Sequence, residues 1–228
     1  MCGRFSNHPV DEFSEIKLKA TRLGEWLDDS APIPPNYNIA PTQQVQAIRA
    51  NAAGGKPEVV LFRWGLIPFW SKDEKIGYKL INARAETVAE KPSFREAYKK
   101  RRCLIVTSGF YEWKKVGAAK EPWRIVMKDR QRFAFAGLWE RWKNPAAQFV
   151  ETCTIVTTNA NDLVAPIHDR MPVIVRPELY ETWLGTNTNA AEVASLLQPY
   201  APEEMDTYRV STLVNNPRNN NKECVEAV

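Results

Sequence analysis

Apolar positions recur at helical spacing near the start of the chain. Phe13, Ile16, Ala20, Leu23 and Leu27 fall on one face over residues 10–28, which predicts an amphipathic helix. The segment Ala31-Pro32-Ile33-Pro34-Pro35-Asn36 then forbids regular structure, because proline fixes φ and has no N–H to donate. Beyond it the pattern changes. Short β-branched and aromatic runs predict strands at 45–49, 58–63, 102–107, 110–114, 123–128, 132–138, 152–158 and 172–175. Short polar connections at 116–121 and 129–131 join three successive runs and predict an antiparallel meander. Helices are predicted at 93–100, at 177–184 with Pro177 in the first turn, and at 190–198. Strands do not alternate regularly with helices, which disfavours a doubly wound parallel sheet. The expected fold is α+β: a single domain over residues 1–228, with a twisted, barrel-like antiparallel β core and peripheral helices.

Composition narrows the function classes. The chain has 228 residues, 44% hydrophobic and 25% charged, ordinary values for a globular protein with a sizeable core. A net charge of +4 permits contact with nucleic acid without demonstrating it. Eight Trp could offer stacking platforms, although most tryptophans serve packing. The four cysteines, Cys2, Cys103, Cys153 and Cys224, form no CxxC pair, and His8 and His168 are the only histidines. No structural zinc site, other metal or cofactor is therefore expected. Cys103 and Cys153 sit in strand-like apolar runs and are read as buried thiols. Arg4, His8, Asp11 and Glu12 interrupt any apolar run at the start, so no signal peptide is expected. No stretch approaches the ~18 apolar residues of a membrane span. The expected setting is the reduced cytoplasm, which would keep Cys2 a thiol.

The chain opens Met1-Cys2-Gly3-Arg4. A start methionine before a small residue is normally trimmed, which would leave Cys2 with a free amine beside its thiol. The amine titrates near ~8 and the thiol near ~8.5, so both are partly nucleophilic at neutral pH. Such a terminus can condense with an aldehyde to an imine, after which the thiolate closes a five-membered thiazolidine. Position alone does not separate this chemistry from a chance cysteine.

No phosphate-binding loop, dinucleotide fingerprint, nucleophile elbow or HExxH is present. Four other clusters carry candidate chemistry. Glu112 lies in Gly109-Phe110-Tyr111-Glu112-Trp113; as a strand residue it shares a face with Phe110 and Lys114. A carboxylate among aromatics is desolvated toward the range of general acid–base work, but a solvent-facing strand position fits equally. His168, in Ile167-His168-Asp169-Arg170-Met171-Pro172, can exchange protons near neutrality or serve as a structural loop residue. In Leu80-Ile81-Asn82-Ala83-Arg84-Ala85-Glu86, Asn82 can donate and accept, and Arg84 would share its face. A turn network around a buried Asn is the alternative. In Arg63-Trp64-Gly65-Leu66-Ile67-Pro68-Phe69-Trp70 the aromatics could stack on bases or belong to the core.

Taken together, these segments resemble the SOS-response-associated-peptidase (SRAP) domain family. Met1-Cys2-Gly3-Arg4-Phe5, Tyr37-Asn38-Ile39-Ala40-Pro41, 63–68, 81–84, 109–113, 167–172 and Val210-Ser211-Thr212-Leu213-Val214-Asn215 occur in the family's order and span nearly the whole chain. Each is weak alone; the ordered set is specific. The resemblance implies an abasic-site processing protein. Such a protein crosslinks covalently to abasic sites in single-stranded DNA, through a thiazolidine on the N-terminal cysteine, and so protects the lesion during replication. It implies Cys2, Asn82, Glu112 and His168 as catalytic residues. It implies Arg4, Asn38, Pro41, Phe69, Trp70, Arg84 and Arg170 at the DNA, with Phe69-Trp70 as an aromatic wedge and the arginines on phosphates. Some relatives carry two Trp at the wedge; Phe69 keeps a stacking face without the indole N–H. "Peptidase" would then describe at most the removal of Met1, whether autocatalytic or not. The expected form is a monomer, cytoplasmic and nucleoid-associated at damage. Two other readings compete: a cysteine peptidase using a Cys2–His168 pair, and a non-covalent single-strand DNA-binding module.

Overall fold

The computed structural model describes residues 2–9, 21–28 and 33–228. In chain order the elements are β1 (Phe5–Asn7), α1 (Arg22–Asp28), β2 (Asn36–Ile39), β3 (Gln44–Arg49), β4 (Glu58–Trp64), β5 (Asn82–Arg84), α2 (Arg95–Lys100), β6 (Arg102–Thr107), β7 (Gly109–Val116), β8 (Ala119–Met127), β9 (Phe133–Lys143), β10 (Phe149–Asn159), β11 (Arg170–Pro172), β12 (Ile174–Val175), α3 (Tyr180–Leu184), α4 (Ala190–Ser195) and β13 (Met205–Arg209). Of the helix predicted at 10–28, α1 covers the final part, and residues 10–20 lie outside the described residues. Among the described residues, no helix is long and apolar enough to cross a membrane.

Two sheets form the core. One has the order β13-β8-β7-β1-β2, so the short β1 is an interior strand. In the other, β10-β4-β3-β6-β9 closes into a five-stranded barrel because β9 also pairs with β10. Most pairings are antiparallel, as the alternating pattern predicts, but β10 runs parallel to both β4 and β5. The predicted meander holds only for its first half. β7 and β8 form a hairpin, whereas β8 is next flanked by β13 and β9 joins the barrel between β6 and β10. The reason lies in the side chains of β9. Phe133 and Phe135 enter one apolar cluster, and Ala134, Ala136 and Leu138 enter another, so this strand needs cover on both faces. The same alternation runs through β6, where Leu104 and Val106 pack beneath the helices. Cys103 and Ile105 pack instead with Phe5, Phe110 and Ile125 of the first sheet.

One close backbone approach shapes the site. Gly65 follows β4 with φ +127°, and Gly77 lies in a 3₁₀ turn over Glu74–Lys79. A Cβ on Gly65 would stand 2.7 Å from the Gly77 carbonyl oxygen, and one on Gly77 would stand 2.8 Å from the Gly65 oxygen. This contact sets the base of the loop that carries Phe69 and Trp70. Gly77→Ala is expected to cost about 1–3 kcal/mol and lower Tm by about 2–12 °C. A thermal unfolding curve matching the wild type would show that the backbones can separate at no cost.

Candidate active site

Strand pairing gathers distant segments around the far half of β10. On one edge β5 sets Asn82 opposite Ile155 and Arg84 opposite Thr157. On the other edge β11 sets Arg170 opposite Asn159, which brings the preceding turn with His168 to the same end. The N-terminus arrives from the other sheet. Phe5 pairs with Phe110, and the Tyr111 N–H donates to the Arg4 carbonyl at 3.0 Å, so the chain from Phe5 back to Cys2 runs beside the start of β7. Asn82 Nδ2 then donates to the Cys2 carbonyl oxygen at 2.8 Å. His168 Nε2 lies 4.0 Å from Glu112 Oε2. The four residues expected to be catalytic thus come together, although they are spread over more than half the chain.

Their surroundings set their protonation. Glu112 is 2% exposed, and burial among aromatics raises its pKa to about 7. The strand pattern allowed both a buried and a solvent-facing Glu112; Phe110 and Tyr111 are fully buried, in different clusters, and the carboxylate is buried with them. His168 is half-buried, which lowers its pKa. Its Nδ1 accepts the Arg170 backbone N–H at 3.0 Å, so in the neutral ring the proton sits on Nε2, facing Glu112. When the ring is protonated, Nδ1 can instead donate to Asp169 Oδ1, 2.9 Å away. Cys2 is fully buried, and burial, reinforced by the Glu112 carboxylate, pushes its thiol pKa well up. The arrangement can hold a terminal residue by its backbone, and can donate and accept protons at one small volume.

The residues expected at DNA fall into two groups. Phe69 and Trp70 are 57% and 49% exposed, whereas Trp64, Leu66 and Ile67 of the same segment are fully buried, so the aromatic run is divided between core and surface. Arg84 is exposed, and Pro41 is half-buried. The others are tied into the protein. Arg4 donates to Asn38 Oδ1 at 2.7 Å and to the Val214 carbonyl, with its guanidinium over the Trp113 ring. Asn38 is 1% exposed, and its Nδ2 donates to the carbonyls of Val214, Asn216 and Asn219. Arg170 is 9% exposed, forked onto Glu86 and bonded to Asn159 Oδ1 and the Thr157 carbonyl. An incoming anion would have to compete with the Glu86 carboxylate for it.

A cleft of about 590 Å³ opens at this point, lined by Glu112, Trp113, Lys120, His168 and Asn215. Trp113 Nε1 donates to Asn215 Oδ1 at 2.7 Å across its wall. Sequence reasoning gave no role to Lys120, Asn215 or Glu86. Asn215 and Trp113 stood inside matching segments, while nothing in the sequence flagged Lys120, which becomes notable only through the hairpin that returns it to the cleft. Among the described residues no group of three or more His, Cys, Asp or Glu side chains could hold a metal ion.

Known proteins share this architecture. The family model described as SOS response associated peptidase (SRAP) matches residues 1–217. The abasic site processing protein YoqW of Bacillus subtilis is 46% identical over all of both chains. The abasic site processing protein HMCES of Xenopus tropicalis is 30% identical, covering 89% of this chain and 69% of that protein. A crystal structure of a protein from Bacteroides thetaiotaomicron superposes with a TM-score of 0.78 at 36% identity, over 85% of each chain. Profile, relatives and fold agree, and the chain belongs to the SRAP family.

Proposed function

We propose that this chain, once Met1 is removed, captures abasic sites in single-stranded DNA as a thiazolidine on Cys2. The observation that carries the reading is the grip of Asn82 on the Cys2 carbonyl beside the facing Glu112 and His168. A residue held by its carbonyl leaves its amine and its thiol out of that bond. Relatives that match over most or all of this chain are named for abasic site processing, which supports the same substrate.

The chemistry divides among the side chains as follows. An abasic deoxyribose is mostly a closed hemiacetal. The Glu112 carboxylate takes the proton of the C1′ hydroxyl and returns it to the ring oxygen, which His168 Nε2–H holds by a hydrogen bond, and the sugar opens to its aldehyde. The neutral Cys2 amine adds to that carbon. Glu112 carries the two amine protons in turn to the departing oxygen, and water leaves with formation of the imine. The Cys2 sulfur adds to the imine carbon, its proton passes to the nitrogen, and the ring closes. Capture by sulfur diverts the imine from β-elimination, which would break the strand. Arg84, exposed on β5, would meet a phosphate, and the exposed Phe69 and Trp70 would stack on bases. Arg4, Asn38 and Arg170 support the site from behind, through the bonds described above.

Intact mass of the purified protein, alone and after incubation with an abasic oligonucleotide, tests the reading. The expected result is loss of Met1 and a protein–DNA species one water lighter than the sum. Retained Met1, or a processed protein that forms no adduct, overturns it. The wedge has its own test. Phe69→Ala and Trp70→Ala are each expected to weaken single-strand binding by about 1–2 kcal/mol, roughly 5- to 30-fold, with Tm unchanged because both rings already face solvent. Unchanged binding in both variants would remove stacking from the account.

A further inference from the structure

We infer that the tip of the β7–β8 hairpin, through Lys115 and Lys120, binds phosphates of the DNA strand as it leaves the cleft. The inference deepens the proposed function and rests on it for the identity of the ligand. Val116 pairs with Ala119, so the turn is only Gly117-Ala118, and Gly117 takes φ +60°. Two-residue turns of this kind match the twist of the strands they join. Pairing is continuous from Phe110 to Val116, so the arm extends the strand that carries Glu112.

Its charge is unbalanced. Lys115 and Lys120 are both exposed and stand directly opposite each other. Like charges at such a position destabilise a sheet, unless an anion joins them. Among the described residues, no carboxylate forms an ion pair with either. Glu121, the nearest acid on the hairpin, faces Lys114 across the strands and pairs with Arg209 at 3.6 Å. Asp169, the exposed acid at the mouth of the cleft, lies against His168 Nδ1. Lys114 is drawn aside over the Trp123 ring. Lys120 itself lines the cleft together with Glu112 and His168. A strand whose abasic sugar sits at Glu112 must pass out of this cleft, and its phosphates then meet two ammonium groups that have no ion-pair partner among the described residues. Arg84 lies on β5 beside β10, and Phe69 and Trp70 follow β4, so the hairpin would supply contacts from the other sheet.

The test is equilibrium binding of a lesion-free single strand by the processed full chain, followed across a salt series. The variants are wild type and the double variant Lys115→Gln/Lys120→Gln. Loss of two phosphate contacts should make the slope of log K against log salt shallower by about 1.4, and weaken binding about tenfold at low salt. Tm should stay the same or rise, since the opposed charges are gone. An unchanged slope and affinity would overturn the assignment. A wild type that forms no adduct, combined with a shallower slope in the variant, would refute the thiazolidine reading and leave the hairpin as a DNA contact.

Discussion

Cys2→Ser is expected to abolish the heat-stable adduct, lowering its yield by at least about 100-fold, while single-strand affinity stays within about twofold of wild type. The amine that starts the reaction survives in the variant, so an imine can still form. Oxygen closes a far more labile ring than sulfur, and the imine then either hydrolyses or eliminates. Cleaved DNA should therefore appear where the wild type gives crosslinked DNA. Burial of a serine hydroxyl in place of the thiol costs about 1–3 kcal/mol, but Ser is close to isosteric and the Asn82 bond is to the backbone carbonyl, so the folded site is retained. The measurement is a denaturing gel of an end-labelled abasic oligonucleotide, with binding to intact DNA recorded in parallel. A variant that still forms the stable adduct would place the nucleophile elsewhere. Cleavage of some other protein, lost on substitution, would instead favour the peptidase reading.

Glu112→Gln should slow crosslinking by about 10²–10⁴-fold near neutral pH, the usual range for loss of a general acid–base group. The pH profile carries the more specific signature. The productive state needs a neutral amine, which favours pH above ~8, and a Glu112 carboxylate, which favours pH above its pKa of about 7. The wild-type rate should thus fall toward acid over two ionisations, the lower one set by Glu112. The variant should keep only the amine limb. A variant profile that still shows both would assign the lower limb to another group.

The same substitution should alter stability in a way that can be worked out. The folded state holds a proton on Glu112 up to about pH 7, while the ordinary carboxyl value is 4.5. Within that window the folded state binds more protons, so stability falls as pH rises, by about 3 kcal/mol in all. His8 acts in the opposite sense. Burial lowers its pKa from 6.5 to about 4, so between these values the unfolded state binds more protons and stability rises with pH. The two slopes largely offset in the wild type. Glu112→Gln should expose the His8 slope, seen as a Tm that climbs from pH 4 to 6.5 more steeply than in the wild type.

The sequence made the strands legible because their apolar runs alternate, and alternation survives in the structure at β6 and β9. It did not show that β9 would leave the meander, because a strand apolar on both faces says that it needs two covers without saying which. It could not show the parallel pairing of β5 with β10 either, a contact between short segments far apart in the chain. That pairing is what brings Asn82 to Cys2. The site residues were legible as an ordered set of segments. Their division of labour was not. Asn38 and Arg170 carry polar groups of the kind that meet DNA, yet burial assigns Asn38 to three backbone carbonyls and Arg170 to Glu86. Lys120 carried no signal at all, since only the return of a tight hairpin places it beside His168.

The position of β1 bears on what happens when machinery meets the adduct. In the proposed adduct, a lesion joined to Cys2 would be attached a few residues from a strand that is bonded on both edges, to β2 and to β7. Tension applied through the DNA would run along β1, so its ladder bonds would be loaded in shear and would have to fail together rather than one after another. A translocating motor would then encounter a mechanical clamp, and removal of the protein would call for unfolding from another end or for proteolysis.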